Sequence, residues 1–179
     1  HMDKRFISAF TDPSRIKVLG RFVYPFSLLN RVQLQAAESP FVMNAETVRP
    51  LDLLVAVKIC AKEPIGKLSL KDYYYLGRMN SSEAYFIKQM TRFSQYVMVD
   101  AWPKFWEKRS KQADASGMPW PLTVVCSLMS HGVSEERAWT MPESQAIWLY
   151  SSFAISNGAS IKVLTTDDEE LIEKLEKQS

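Results

Sequence analysis

Apolar residues recur through most of this chain at three- and four-residue intervals, and they alternate with polar ones only near its start. In the alternating stretch Ile16, Val18, Phe22 and Tyr24 fall on one face, with Lys17 and Arg21 on the other, which predicts a strand. Gly20 interrupts it and predicts a bulge or a tight hairpin, and Pro25 ends it. A short helix is expected from Ser27 to Ala37, stopped at Ser39-Pro40.

Pro50 then opens a segment with almost no polar face, containing Leu51, Leu54, Val55 and Ile59. Proline suits a first helical turn, where its missing donor is not needed, so a central, buried helix is predicted. Ser69 with Asp72 has the spacing of a capping box for a helix from Leu70 to Arg78, and Asn80 with Glu83 repeats it for the next. That next helix, Ser81 to Val99, carries Phe86, Met90, Phe93 and Val97 at steps of four, three and four, a stripe expected in the core.

Helical periodicity resumes at Leu122 to His131, where Gly132 takes the C-terminal stop. Ser134 with Glu135 and Glu136 starts a short helix through Ala138 and Trp139. Thr140 to Glu143 reads as a capping box for a helix from Glu143 to Ser156, whose stripe is Ala146, Leu149, Tyr150 and Phe153. Asn157-Gly158 ends it, and Ser160 to Leu164 is expected as a short strand paired with the one near the N-terminus. Thr166 with Glu169 caps a terminal helix that places Leu171, Ile172 and Leu175 on one side. The fold class is mainly α (α+β): a helical, bundle-like domain with one small β-sheet or hairpin.

A chain of 179 residues is the size of one domain, or at most two small lobes. If lobes exist, the polar, unpatterned stretch 108–118 is the expected linker between an N-terminal lobe 3–107 and a C-terminal helical lobe 119–179. No apolar run approaches the roughly 18 residues of a spanning helix, so no membrane is expected. The early charges Asp3, Lys4 and Arg5 without an apolar run behind them predict no secretory leader. His1-Met2 reads as a cloning remnant. A net charge of +2 is too small to imply nucleic acid, which is not expected as a partner. The tail from Thr166 has six acids and two lysines, net −4, so it is expected to solvate one face or to serve as an arm for a partner.

Candidate chemistry is sparse. Cys60 and Cys126 sit in apolar runs and read as buried small hydrophobes. His131 follows Cys126 by five residues, an offset of about 140° on a helix, so the two do not face each other. Before Gly132 it reads as a C-terminal histidine favouring the helix dipole. No glycine-rich phosphate loop or nucleophile elbow occurs, and the adjacent carboxylates lie where helix N-termini favour acids. No cofactor, metal site or catalytic residue is therefore expected. The cluster Trp102, Lys104, Phe105, Trp106, Lys108, Arg109 and Lys111 interleaves aromatics and bases. It is expected as a protein-binding patch, because Trp and Arg are typical hot-spot residues. The alternatives are a short amphipathic helix anchored by its aromatics, and a surface that stacks and neutralises a single nucleic-acid strand. The expected partner-binding residues are thus Trp102, Phe105, Trp106, Lys108 and Arg109, with Leu171, Ile172 and Leu175 of the tail.

Three stretches carry a resemblance: PWPLTVVCSLMSHGVSEERAWTMPESQAIWLYSSFAISNGASIKV, VLGRFVYPFSLLNRVQLQAAESPFV and RPLDLLVAVKICA. Their Pro-Trp helix, Trp-x-Met-Pro junction and Ala/aromatic-rich helix ending in Asn-Gly resemble the tail assembly chaperones of tailed bacteriophages. The resemblance implies a mainly helical, non-enzymatic protein of the host cell cytoplasm. It would bind the helical tape-measure protein before the tail tube polymerises, and would self-associate. The alternatives are a structural or connector protein of the phage particle, or a helical regulatory or nucleic-acid-binding module.

Overall fold

The computed structural model describes residues 3–11, 16–43, 45, 47–98, 101–106 and 117–177. Among them are ten helices and four two-residue strands. The chain forms two compact units, Ser14–Val99 and a second made of His1–Pro13 with Asp100–Ser179. The N-terminal helix therefore belongs with the C-terminal half of the chain. Of the stretch expected as a linker, only Gly117 and Met118 lie within the described residues.

The first unit begins with a hairpin, β1 (Lys17–Val18) and β2 (Arg21–Phe22), antiparallel with Val18 opposite Arg21 and Lys17 opposite Phe22. Leu19 and Gly20 form its two-residue turn with φ of 46° and 67°. Positive φ at both central positions gives the twist that two strands need, but it favours Asn and Gly, not leucine. Leu19 is held there by full burial and by Gln89, whose Oε1 accepts its N–H at 3.0 Å. At Gly20 a Cβ would meet the Tyr75 hydroxyl, so any larger residue there requires the Tyr75 ring to move.

The hairpin corrects the expected faces. Val18 and Arg21 point inward, while Phe22 and Tyr24 are exposed. A turn of two residues makes positions 18 and 21 cross-strand partners, so the alternation read straight through Gly20 changes parity.

Four further helices and a short one complete this unit: α2 (Leu28–Ala36), α3 (Pro40–Met43), α4 (Pro50–Cys60), α5 (Leu70–Ser81) and α6 (Glu83–Val97). Helix α4 is central, packed against α2, α5 and α6, with Leu53, Leu54, Ala56, Val57 and Cys60 in the core. Ser27 caps α2 and Ser69 caps α5, each with a reciprocal capping box. The cap of α6 is Ser82, not Asn80, because α5 runs on to Ser81. Of the stripe expected on α6, Phe93 and Val97 are buried, and Phe86 and Met90 pack against the core from its edge. Phe93 meets Phe41 and Tyr96 with ring centroids 4.7 and 5.5 Å away.

The second unit holds α1 (Lys4–Thr11), β3 (Lys104–Phe105), α7 (Trp120–Ser130), α8 (Glu135–Thr140), α9 (Glu143–Ser156), β4 (Val163–Leu164) and α10 (Thr166–Glu176). Helix α7 packs on α8 and α9, and α1 on α9. The strand expected near residue 160 does form, but it pairs with β3 and not with the N-terminal strand. The described residues are mainly helical, as expected, and form two small two-stranded sheets where one was expected. Thr140 ends α8, where its hydroxyl donates to the Glu136 carbonyl, and Pro142 holds the cap position of α9 without a side-chain bond. Ala146 of the α9 stripe is buried, while Leu149, Tyr150 and Phe153 are half-buried. His131 is the C-cap of α7: its Nδ1 donates to the Ser127 carbonyl at 2.8 Å and its ring stacks on Phe153. Cys60 is buried as expected, but Cys126 is exposed.

Replacing Phe93 by alanine is expected to cost about 3–5 kcal/mol, as large-to-small changes at buried aromatics do. A urea denaturation midpoint unchanged by Phe93→Ala would contradict the core assignment.

Candidate functional site

In the first unit a cluster of charges lies under the hairpin. Asp72 is fully buried at the start of α5, and its Oδ2 accepts from the ammonium of Lys58 at 2.8 Å and the backbone N–H of Ser69 at 2.8 Å. Its other oxygen takes the Arg21 guanidinium, which also bonds Glu63 at 2.7 Å. Both cations are almost wholly buried. Burial pushes the Asp72 carboxyl up, but the bonds from Lys58 and Ser69 and the charge of Arg21 prevail and lower it to about 2. The cluster therefore holds the β2 end of the hairpin to α4 and α5.

Above it the outer face of the hairpin is aromatic and basic. Phe22 and Tyr24 are 65% and 47% exposed. Lys17 places its ammonium 5.5 Å from the Phe22 ring centre, and Lys62 lies 4.6 Å from that of Tyr24. Lys71 donates to the Gly20 carbonyl at 3.2 Å. An open cleft of about 460 Å³ is lined by Gly20 to Tyr24, Ala61, Glu63 and Lys71. Beneath it the Tyr96 hydroxyl donates to the Tyr24 carbonyl, and Tyr24 N–H donates to the Cys60 carbonyl at 3.0 Å. Burial pushes both the Cys60 thiol, to about 12, and the Tyr96 hydroxyl up, so both stay protonated.

The second unit presents an apolar groove of about 350 Å³ between α1 and α9, beside β4. Phe6, Phe10, Trp148, Ile155 and Val163 supply its walls, and Ser152 and Ser156 its polar rim. Phe6 packs edge-on to Trp148 at 5.5 Å, and the Trp148 indole N–H donates to the Ala101 carbonyl at 2.9 Å, which fixes the ring.

The expected partner-binding residues scatter around this unit. Trp102 lies 5.7 Å from Trp120, edge to face, and each is about two-fifths exposed. Phe105 is half-buried within β3 opposite Val163, and Trp106 is exposed with Lys162 over its ring at 5.5 Å. The segment is therefore extended, not the amphipathic helix held as an alternative. Pro103 gave a signal for this, since the residue before a proline is driven from the helical region. Lys108 and Arg109 lie outside the described residues. In α10, Leu171 and Leu175 are 59% and 58% exposed, and Ile172 is half-buried.

The acidic side of α10 is what ties it down. Glu169 pairs with Arg5 at 3.3 Å and with Lys104 at 3.0 Å, and Glu170 with Lys4 at 3.5 Å. Arg5 is itself buried and bonded to Asp3. Thr165 caps the helix with Asp168, one residue earlier than expected. Leu171 and Leu175 thus stay exposed while Glu169, with Ile172, faces the body of the unit.

Among the described residues no three His, Cys, Asp or Glu side chains group as a metal site requires, and no helix is long and apolar enough to cross a membrane. No protein-family model, curated protein or solved structure matches this chain.

The Asp72 cluster and the exposed hairpin aromatics were not anticipated from the sequence. The available signals were Lys58 within the apolar run 53–60, and Lys17 and Arg21 interleaved with Phe22 and Tyr24. Removing the Asp72 charge leaves two buried cations underpaired, so Asp72→Asn is expected to lose about 3–5 kcal/mol. Folded Asp72 binds its proton less tightly than the ordinary aspartate at 3.8, so its contribution is full above about pH 4 and fades as pH falls toward 2. Urea midpoints measured across that window should show the parent's acid limb steeper than that of the variant. Equal limbs would remove Asp72 from the account.

Proposed function

We propose that this chain is a non-enzymatic binding protein that holds an amphipathic client helix in the groove of the second unit. The observation that carries the reading is the groove itself: an aromatic-walled trough of about 350 Å³ with two serines one helical turn apart on its rim. An amphipathic helix docks by seating apolar anchors in such a trough, and neither cofactor nor hydrolysis is needed. Exposed Trp102, Trp106, Leu171 and Leu175 on the same unit extend the apolar surface available to a client.

The client that best suits the groove and the resemblance is the phage tape-measure protein, a long helix held until the tail tube grows around it. On this reading the protein is a tail assembly chaperone, acts in the host cytoplasm and leaves before the particle is complete. Self-association through the leucine side of α10 is part of the same proposal.

Co-expression with the tape-measure protein of the same genome, followed by pull-down of the full chain, tests it. The parent is expected to retain the tape measure. Ile155→Asp and Phe10→Ala, both at exposed positions of the groove, are expected to lose it with an unchanged circular dichroism spectrum. Retention by both variants would move the client away from the groove. Recovery of the chain from purified virions would replace the chaperone reading with that of a particle component.

A further inference from the structure

The charge of the chain is divided unevenly. Residues 14–99 carry twelve Lys and Arg against six Asp and Glu, an excess of +6, while the rest of the chain carries −4. The modest overall figure of +2 hides this division. Within the basic unit the lysines of the hairpin face meet little opposition. Glu63 is the one acid among the described residues that line the cleft, and Arg21 already engages it at 2.7 Å. Asp72 is sealed beneath, matched by Arg21 and Lys58. The ammonium groups of Lys17, Lys62 and Lys71 are therefore a surplus on that surface.

The same face exposes two rings at alternate positions. Burial runs in, out, in, out over Arg21, Phe22, Val23 and Tyr24, the mark of an extended backbone with both rings on one side. Two residues of a strand span about 6.7 Å, roughly two stacking steps of nucleic acid at ~3.4 Å each. Each ring has an ammonium within cation–π range. A ring beside an ammonium is what one nucleotide asks of a protein: a surface for the base and a charge for the phosphate.

We propose that the hairpin face of this unit binds single-stranded nucleic acid, with Phe22 and Tyr24 as stacking platforms and Lys17, Lys62 and Lys71 as phosphate contacts. The rings decide between this ligand and an acidic peptide. Carboxylate side chains would use the lysines but leave Phe22 and Tyr24 without a role, whereas every base offers a π-face. They also decide against a duplex, whose bases are already stacked on each other. The Asp72 cluster makes the face rigid in advance, because Arg21 is the neighbour of Phe22 and is tied to α4 and α5 through Asp72 and Lys58. This site lies wholly in the first unit and does not depend on the client groove of the second.

Fluorescence anisotropy of the full chain with a labelled oligothymidylate of about 20 nucleotides tests the proposal, at about 50 and about 200 mM salt. The parent is expected to bind the single strand, to weaken several-fold at the higher salt, and to bind the matched duplex less well. Phe22→Ala with Tyr24→Ala is expected to weaken binding tenfold or more at both salts, since stacked bases each contribute substantially. Both side chains are exposed, so circular dichroism should be unchanged. Lys62→Gln with Lys71→Gln is expected to weaken binding mainly at low salt and to flatten its salt dependence. The proposal is overturned if the parent binds no oligonucleotide at the lower salt or binds duplex equally. It is also overturned if the aromatic variant binds as the parent does, or if polyglutamate at equal charge displaces the strand completely.

Discussion

The carboxylate of Asp72 is the constraint on which the first unit depends. It is fully buried, it receives Lys58 from α4 and Arg21 from β2, and it closes the capping box of α5 through Ser69. A buried charge is tolerated only when its partners satisfy it, and here they come from α4, from β2 and from the cap of α5 itself. The hairpin has only two residues per strand, far too few to be stable alone. Its position is set by Val18, Leu19 and Val23 in the core and by Arg21 on Asp72. The exposed rings of Phe22 and Tyr24 gain their fixed placement from this buried chemistry.

The second unit uses the same device in a milder form. Arg5 is buried on α1, bonds Asp3, and reaches Glu169 on α10 and the Leu164 carbonyl of β4. Lys104 of β3 shares Glu169. One arginine thus links a helix, a strand and the terminal helix, while the β3–β4 pair contributes few hydrogen bonds of its own. Both units contain an arginine whose local sequence suggests a solvent-facing residue. In each, the charge is drawn in by an acid distant in sequence.

That distance explains what could and could not be read from the chain. Local signals were sound: Pro50 opening α4, the Ser69–Asp72 box, Ser134 before α8 and Gly20 in the turn all act within a few residues. Ambiguity arose where signals overlapped. Thr165 with Asp168 and Thr166 with Glu169 are equally good boxes, and the first prevails because Glu169 is taken by Arg5 and Lys104. Asn80 failed as a cap because α5 continues past it. The pairing of β4 with β3, and the gathering of Arg21 and Lys58 on Asp72, join residues more than ten positions apart, so no short-range pattern names the partners. For the expected site, Trp102 and Trp106 are exposed, but Phe105 is engaged in a strand, and the groove of Phe6, Phe10 and Trp148 joins segments from opposite ends of the chain.

The two cysteines fell on opposite sides of the burial expectation, and this makes the molecule easy to address. Cys60 is sealed in the core beside Tyr96, its thiol pushed up to about 12, so it is neither reachable nor ionised near neutrality. Cys126 lies on the outer side of α7, off the face that buries Val124, Val125 and Leu128. A thiol-directed dye or spin label added to the native chain will therefore find one address, in the second unit, and its signal will report on that unit without any residue having been replaced.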